Sequence, residues 1–164
     1  MISIKKLRLY LETTVFNYYF DENRDGHEDT VRLFEAIGDG EYEAYTSEYA
    51  VNELEVTPEP KRGKMLNLLE KYGISAIESN EAARELTKRY IYEGIFTENQ
   101  RLDSSHVAVA SIYGLDCLIS YNFKHINRVR TKVYTARINQ EEGYKGIVIL
   151  TSGEVLNIEN LRYV

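Results

Sequence analysis

Short apolar runs alternate with longer amphipathic stretches along the whole chain. "RLYLETTVF" (8–16) reads as a buried strand ending near Glu12, and "NYYFDENRDGHED" as a polar connection with aromatic residues at its start. In "TVRLFEAIGDG", Val31, Phe34 and Ile37 stand at helical spacing, with Gly38 and Gly40 as stops. "YEAYTS" is a second strand. Ser47 is placed to cap a helix over "EYAVNELEV", which Pro58 and Pro60 terminate. "KRGKMLNLLEKYG" gives the clearest amphipathic helix, with Met65, Leu68, Leu69 and Tyr72 on one stripe before Gly73. "ISAI" is a third strand. Helices follow over "NEAARELTKRYIYEGI", capped by Asn80, and "RLDSSHVAVASIYG", closed by Gly114. "DCLISY" and "KGIVILTS" are two further strands.

Strands alternating with helices imply right-handed crossovers and an α/β fold. The expected architecture is a three-layer α/β/α sandwich around a mainly parallel sheet of about five strands. Continuously apolar strands such as "CLIS" and "GIVIL" fit a sheet covered on both faces. In such sheets ligands bind beyond the carboxyl ends of the strands, so polar residues there are the ones to inspect.

The chain has 164 residues and is 43% hydrophobic, which suits one domain over residues 1–164 with a substantial core. Its single cysteine, Cys117, excludes an internal disulfide, reads as a small core residue and favours a reducing, cytoplasmic setting. The first residues lack the apolar region of a secretory signal, and no apolar run approaches a membrane span. The net charge of −6 disfavours binding nucleic acid by bulk attraction alone. One local exception is "KHINRVRTKVYTAR" (124–137), with Lys124, Arg128, Arg130, Lys132 and Arg137 and no acid. It is either a solvated loop or helix face or a basic surface.

Glu12 is the conspicuous residue, a carboxylate at the tip of an apolar strand, where an unpaired charge costs several kcal/mol or more. Glu53 lies in the helix after the second strand, Asp103 at the start of the helix before the fourth, and Asn122 directly after the fourth. Taken singly, Asp103 is a helix-start residue, Glu53 a solvated helix residue and Asn122 a turn residue. Taken together, all four approach one sheet edge. Clustered carboxylates repel unless a cation lies between them, and Mg²⁺ favours oxygen ligands of this kind. His106 and His125 match no zinc spacing and read as structural or RNA-contacting. HExxH, CxxC, Walker, GxGxxG and GxSxG motifs are all absent. A response-regulator-like phosphoacceptor pocket needs Asp at a strand end, where this chain has Glu12.

"LYLETTVFNYYF", "VNELE" and above all "LDSSHVAVASIYGLDCLISYNFKHI" resemble the PIN-domain family, and within it the VapC-type toxins of toxin–antitoxin systems. The resemblance implies a metal-dependent endoribonuclease acting on single-stranded RNA. Glu12, Glu53, Asp103 and Asn122 fall on the family's four acidic positions, and Thr14 on the hydroxyl residue that supports the first. It further implies Mg²⁺ or Mn²⁺ held by Glu12 and Asp103, a homodimer, and an antitoxin peptide across the acidic site. Lys124, Arg128 and Arg130 would then hold the RNA backbone, and Tyr18, Tyr19 and Tyr121 stack on bases or pack in the core. Two positions depart from the family pattern. Glu12 stands where Asp is usual and adds a methylene, and Asn122 replaces an acid and removes a charge. The alternative is an inactive PIN-like domain that binds RNA or protein through the same face.

Overall fold

The structure is a computed structural model that describes residues 5–161, with side chains through 158. Five strands, β1 (Arg8–Leu11), β2 (Glu43–Ser47), β3 (Ser75–Ile77), β4 (Cys117–Ile119) and β5 (Val148–Leu150), form an all-parallel sheet in the order β3-β2-β1-β4-β5. The helices are α1 (Thr13–Phe20), α2 (His27–Gly38), α3 (Glu48–Glu55), α4 (Lys61–Lys71), α5 (Glu81–Tyr92), α6 (Arg101–Ile112), α7 (Val129–Glu142) and α8 (Ser152–Leu161). The α/β sandwich and its parallel sheet are as the sequence predicts.

The alternation of strand side chains divides the core in two. From β1, Leu9 and Leu11 enter one cluster, with Cys117 and Ile119 of β4, Phe16 of α1, Phe34 of α2 and Met65 of α4. Tyr10 points to the opposite cluster, with Leu118, Ile149, Leu86 of α5 and Val107 of α6. Strand β1 is thus buried on both faces, which accounts for its continuous apolar run.

Three segments differ from the sequence reading. Strand β1 stops at Leu11, and Thr13–Phe20, expected as strand and connection, is helical. Residues Thr13, Thr14 and Val15 are poor helix formers, but burying Val15 and Phe16 outweighs a propensity deficit of about 0.5 kcal/mol per residue. Of the basic segment, left open as loop or helix face, residues 129–137 fall in α7, whose buried positions Thr131, Thr135, Ile138 and Asn139 are mostly polar and give little hydrophobic periodicity. Helix α8 continues from Ser152, where the sequence reading placed only the end of the fifth strand.

The chain leaves β1 toward β2 on one side, and β4 pairs β1 on the other. This is the topological switch point, and Glu12 and Ser120 sit at its carboxyl end.

Candidate active site at the carboxyl edge of the sheet

Glu12 extends β1 by one step. Its N–H still donates to the Ile119 carbonyl at 3.0 Å, while its extended backbone turns the chain into α1 as the helix N-cap. The side chain is 3% exposed, yet no cation of the chain is hydrogen-bonded to it among the described residues. Hydroxyls satisfy it instead: Thr14 Oγ1 and Ser120 Oγ each donate to Oε1 at 2.6 Å, and the Thr14 N–H reaches Oε2 at 3.2 Å. Each hydroxyl is itself aimed by a backbone donor beyond β4, Tyr121 N–H onto Thr14 Oγ1 at 2.9 Å and Asn122 N–H onto Ser120 Oγ at 3.0 Å. Thr14 thus supports Glu12. Ser120, absent from the sequence reading, has an equal part, and its place two residues before Asn122 was the available signal.

Asp103 stands in the first turn of α6, where an acid suits the helix dipole. Its Oδ1 accepts from Asn122 Nδ2 at 3.2 Å, and the Asn122 side-chain carbonyl, Oδ1, accepts the His125 N–H at 3.0 Å. An aspartate at 122 would set one carboxylate against another, so asparagine here exchanges a repulsion for a hydrogen bond. Burial raises the Asp103 pKa above its ordinary value. The negative charges of Glu12 and Glu53 add to the rise, and His106 and His125 oppose it. Asp103 therefore feels both other carboxylates.

Glu53 heads a hydrogen-bonded chain through the interior. Its Oε1 accepts from Thr13 Oγ1 at 2.7 Å and is bonded to His106 Nε2 at 2.7 Å. The opposite ring nitrogen, Nδ1, lies 2.6 Å from the Tyr10 hydroxyl, which is bonded to Ser47 Oγ at 2.7 Å. Carboxylate, imidazole and hydroxyl in series resemble a nucleophilic triad. Tyr10, however, is fully buried and burial holds its phenol well above the ordinary pKa, so the hydroxyl end is closed to substrate. The open end is Glu53. Burial pushes its pKa up, but the hydrogen bond and charge of His106 and the Thr13 hydroxyl hold it below the ordinary range. For His106, burial pushes down and is outweighed by Glu53, Glu12 and Asp103, so the imidazole is raised. His106 is therefore the partner of Glu53, and the shared helix face with Asp103 was only a partial clue.

The other predicted residues, Lys124 apart, have partners within the fold. Lys124 is exposed. Arg128 bonds Thr131 Oγ1 and the Ile95 carbonyl, and Arg130 bonds the Ile95 and Gly94 carbonyls. Tyr18 and Tyr121 stack on each other at 3.8 Å, and Tyr19 shares a hydrogen bond with Tyr72. The tyrosines thus follow the packing alternative.

Among the described residues no three His, Cys, Asp or Glu side chains are gathered closely enough to hold an ion. A site built on two carboxylates, completed by water and phosphate, is the usual arrangement for Mg²⁺ and does not require a third. Glu12 and Asp103 fit that description as hard oxygen donors. Asp103 Oδ2 accepts no hydrogen bond, and Glu12 Oε2 accepts only one, among the described residues. No helix among the described residues is long and apolar enough to cross a membrane.

No protein-family model matches the chain, and no curated protein matches it in sequence. Solved structures do match. Mycobacterium tuberculosis VapC20, a toxin that cleaves the sarcin–ricin loop, superposes with a TM-score of 0.56 at 11% identity, covering 71% of this chain and 92% of that one. VapBC2 of Rickettsia felis, bound to a DNA fragment from its promoter, gives 0.54 at 13% identity over 87% of this chain and 97% of that one. DNA-bound VapBC of Salmonella typhimurium gives 0.54 at 13% identity over 89% and 98%. The five-stranded parallel sandwich of this chain is therefore the fold of the VapC toxins.

Proposed function

We propose that the protein is a Mg²⁺- or Mn²⁺-dependent endoribonuclease for single-stranded RNA, the toxin of a type II toxin–antitoxin pair. One observation carries the reading. Three carboxylates, Glu12 at the end of β1, Glu53 of α3 and Asp103 of α6, share the carboxyl edge at the switch point, and Asp103 is pushed upward by burial and further by the other two, while its only side-chain donor among the described residues is the neutral Asn122. Glu12 and Asp103 would hold the ion, with the Asn122 carbonyl beside them. When bound, the ion acidifies a water and neutralises charge on the scissile phosphate. Thr14 and Ser120 fix the Glu12 carboxylate. Thr13 and His106 hold Glu53 by Oε1, leaving Oε2 to take a proton or orient a water. Lys124, Arg128 and Arg130 would supply positive charge to the RNA backbone. Similar structures that are VapBC assemblies support an antitoxin partner, whose basic side chain would pair with Glu12 or Asp103. A homodimer belongs to the same proposal, on the family resemblance alone. The cytoplasm is the compartment in which such a pair meets its RNA.

The test is cleavage of a labelled single-stranded RNA by the purified chain with Mn²⁺. Glu12→Ala and Asp103→Ala are each expected to abolish it, and undiminished cutting by either variant removes that residue from the site.

A second reading, an inactive RNA- or protein-binding domain, draws on the burial of Glu12 and the three donors already on its oxygens. Calorimetry separates the two. Heat of Mn²⁺ binding at millimolar concentration, lost in Asp103→Ala, supports the nuclease, and its absence in the unmodified chain supports the second reading.

A further inference from the structure

A cleft of about 450 Å³ opens between α3, α5 and α6 on the flank of the acidic edge. Arg84 and Lys88 line it from α5, and Arg101 from α6. Leu102 and Tyr49 supply apolar surface, and no acid among the described residues lines it. Three cations without an acid are a sharp local departure in a chain of net charge −6. The Arg84 guanidinium has no ion pair or hydrogen bond among the described residues. Lys88 pairs Glu85 at 3.3 Å and Arg101 pairs Glu98 at 2.7 Å. Both are exposed pairs three residues apart. The single contact of Lys88 holds weakly against a competing phosphate, whereas Arg101 meets both Glu98 oxygens, Nε to Oε2 at 2.9 Å and Nη2 to Oε1 at 2.7 Å, so Arg84 and Lys88 are the more available cations. Pocket and acidic edge are joined by short segments of chain. Leu102 precedes Asp103, and Tyr49 lies one helical turn before Glu53, its ring 6.3 Å from that of His106.

We infer that this cleft is a binding subsite for single-stranded RNA, holding phosphates of the strand next to the acidic edge on Arg84, Lys88 and Arg101, with a base against Tyr49 and Leu102. Alternating cation and flat apolar surface is what single-strand binding requires, because phosphates and base faces alternate along the strand. The arginines singled out in the sequence are less available, since Arg128 and Arg130 already spend donors on the Gly94 and Ile95 carbonyls. A second copy of this chain is the competing occupant, and the test separates the two.

The inference rests on the nuclease reading for its biological sense but not for its measurement. Binding of a fluorescein-labelled twelve-nucleotide oligouridylate is followed by anisotropy in EDTA, from low to moderate salt. The double variant Arg84→Glu/Lys88→Glu is compared with Lys61→Glu/Lys64→Glu, which changes the net charge equally on α4, over the opposite core cluster. The first pair is expected to weaken binding at least tenfold at low salt and to flatten the slope of log K against log salt by about 1.4, about 0.7 for each lost phosphate contact. The second pair is expected to change affinity less than threefold. Equal losses in both variants, or an unchanged affinity in the first, overturn the subsite. So does an unchanged affinity accompanied by dissociation of a dimer in sedimentation, which would give the cleft to a second copy. Loss of binding by a chain that never cleaves leaves the subsite standing and removes the nuclease. Cleavage with undiminished binding does the reverse.

Discussion

His106 Nε2 lies 2.7 Å from Glu53 Oε1, and the imidazole is 1% exposed where the carboxylate is 32% exposed. The pair joins the closed interior to the open edge of the sheet. Its protonation follows from the directions of the two shifts. Glu53 titrates below its ordinary 4.5 in the fold, so its share of stability is present above 4.5 and is lost as pH falls through the lower folded value. His106 titrates above its ordinary 6.5, so its share is present below 6.5 and is lost as pH rises through the higher folded value. The two overlap fully between 4.5 and 6.5. His106→Gln is therefore expected to cost about 2–3 kcal/mol in that window, the lower end for a buried pair because Glu53 reaches solvent. The cost shrinks on either side. Urea unfolding of both proteins from pH 4 to 9 checks it, and a difference independent of pH would show that the pair is not ionised.

Glu12 depends on two hydroxyls converging on one oxygen. Thr14→Val and Ser120→Ala each remove a donor from a nearly buried carboxylate and orphan a backbone N–H beyond β4. Each is expected to destabilise the fold by about 1.5–3 kcal/mol and to reduce cleavage by an order of magnitude or more. Because both donors serve Oε1, the double variant is expected to depart from additivity by at least about 0.5 kcal/mol. Denaturation midpoints across the double-mutant cycle measure that coupling.

The strand-and-helix order was legible because burial on both sheet faces writes itself as uninterrupted apolar runs, as in β1 and β4. Glu12 was legible for the same reason, as a charge in an apolar place. Helix α1 was not, because its stability comes from Val15 and Phe16 packing and from the Glu12 cap rather than from propensity. Nor was α7, whose inward face carries Thr131, Thr135 and Asn139 bonded to one another's turns and to Ser111. The links from Glu53 to His106, Tyr10 and Ser47 span two strands and two helices, β1, β2, α3 and α6, and nothing local announces them. The Arg84–Lys88–Arg101 cleft was hidden likewise, because its charges are interleaved in sequence with Glu85 and Glu98, which pair with Lys88 and Arg101 but do not themselves line it.

Gly26, the N-cap of α2, carries φ +107°, and a Cβ placed on it would lie 2.8 Å from Tyr121 Cε1. Gly73 is also left-handed, at φ +66°, but has open space around it. Both glycines are expected to resist substitution, for different reasons. Gly73→Ala meets only backbone strain, about 1 kcal/mol. Gly26→Ala adds a collision with the ring stacked on Tyr18, next to Asn122, and is expected to cost about 2–4 kcal/mol and to lower cleavage. Parallel thermal melts compare the two, and equal losses would mean that the Tyr121 ring yields freely.

Asp103 sets function against stability. Its pKa is raised above 3.8 by burial and by Glu12 and Glu53, so the folded chain binds its proton more tightly than the unfolded chain does. Stability from this group is present below 3.8 and is lost as pH rises through the folded value. At neutral pH the ionised Asp103 therefore works against folding. Asp103→Asn keeps an oxygen to accept from Asn122 and removes the charge. It is expected to abolish cleavage and yet raise the melting temperature by a few degrees at pH 7, with the gain vanishing toward pH 3. In the unmodified protein at Mn²⁺ well below saturation, where the limb follows the metal-free site, the acid limb of the rate is expected to have its midpoint above 3.8 and to move down as Mn²⁺ is raised, because protons and the ion compete for the ligand. Calorimetric melts across pH and a pH–rate profile check the two halves separately. A destabilised Asp103→Asn would mean that the carboxylate is already compensated within the fold, and the need for a cation at this edge would disappear with it.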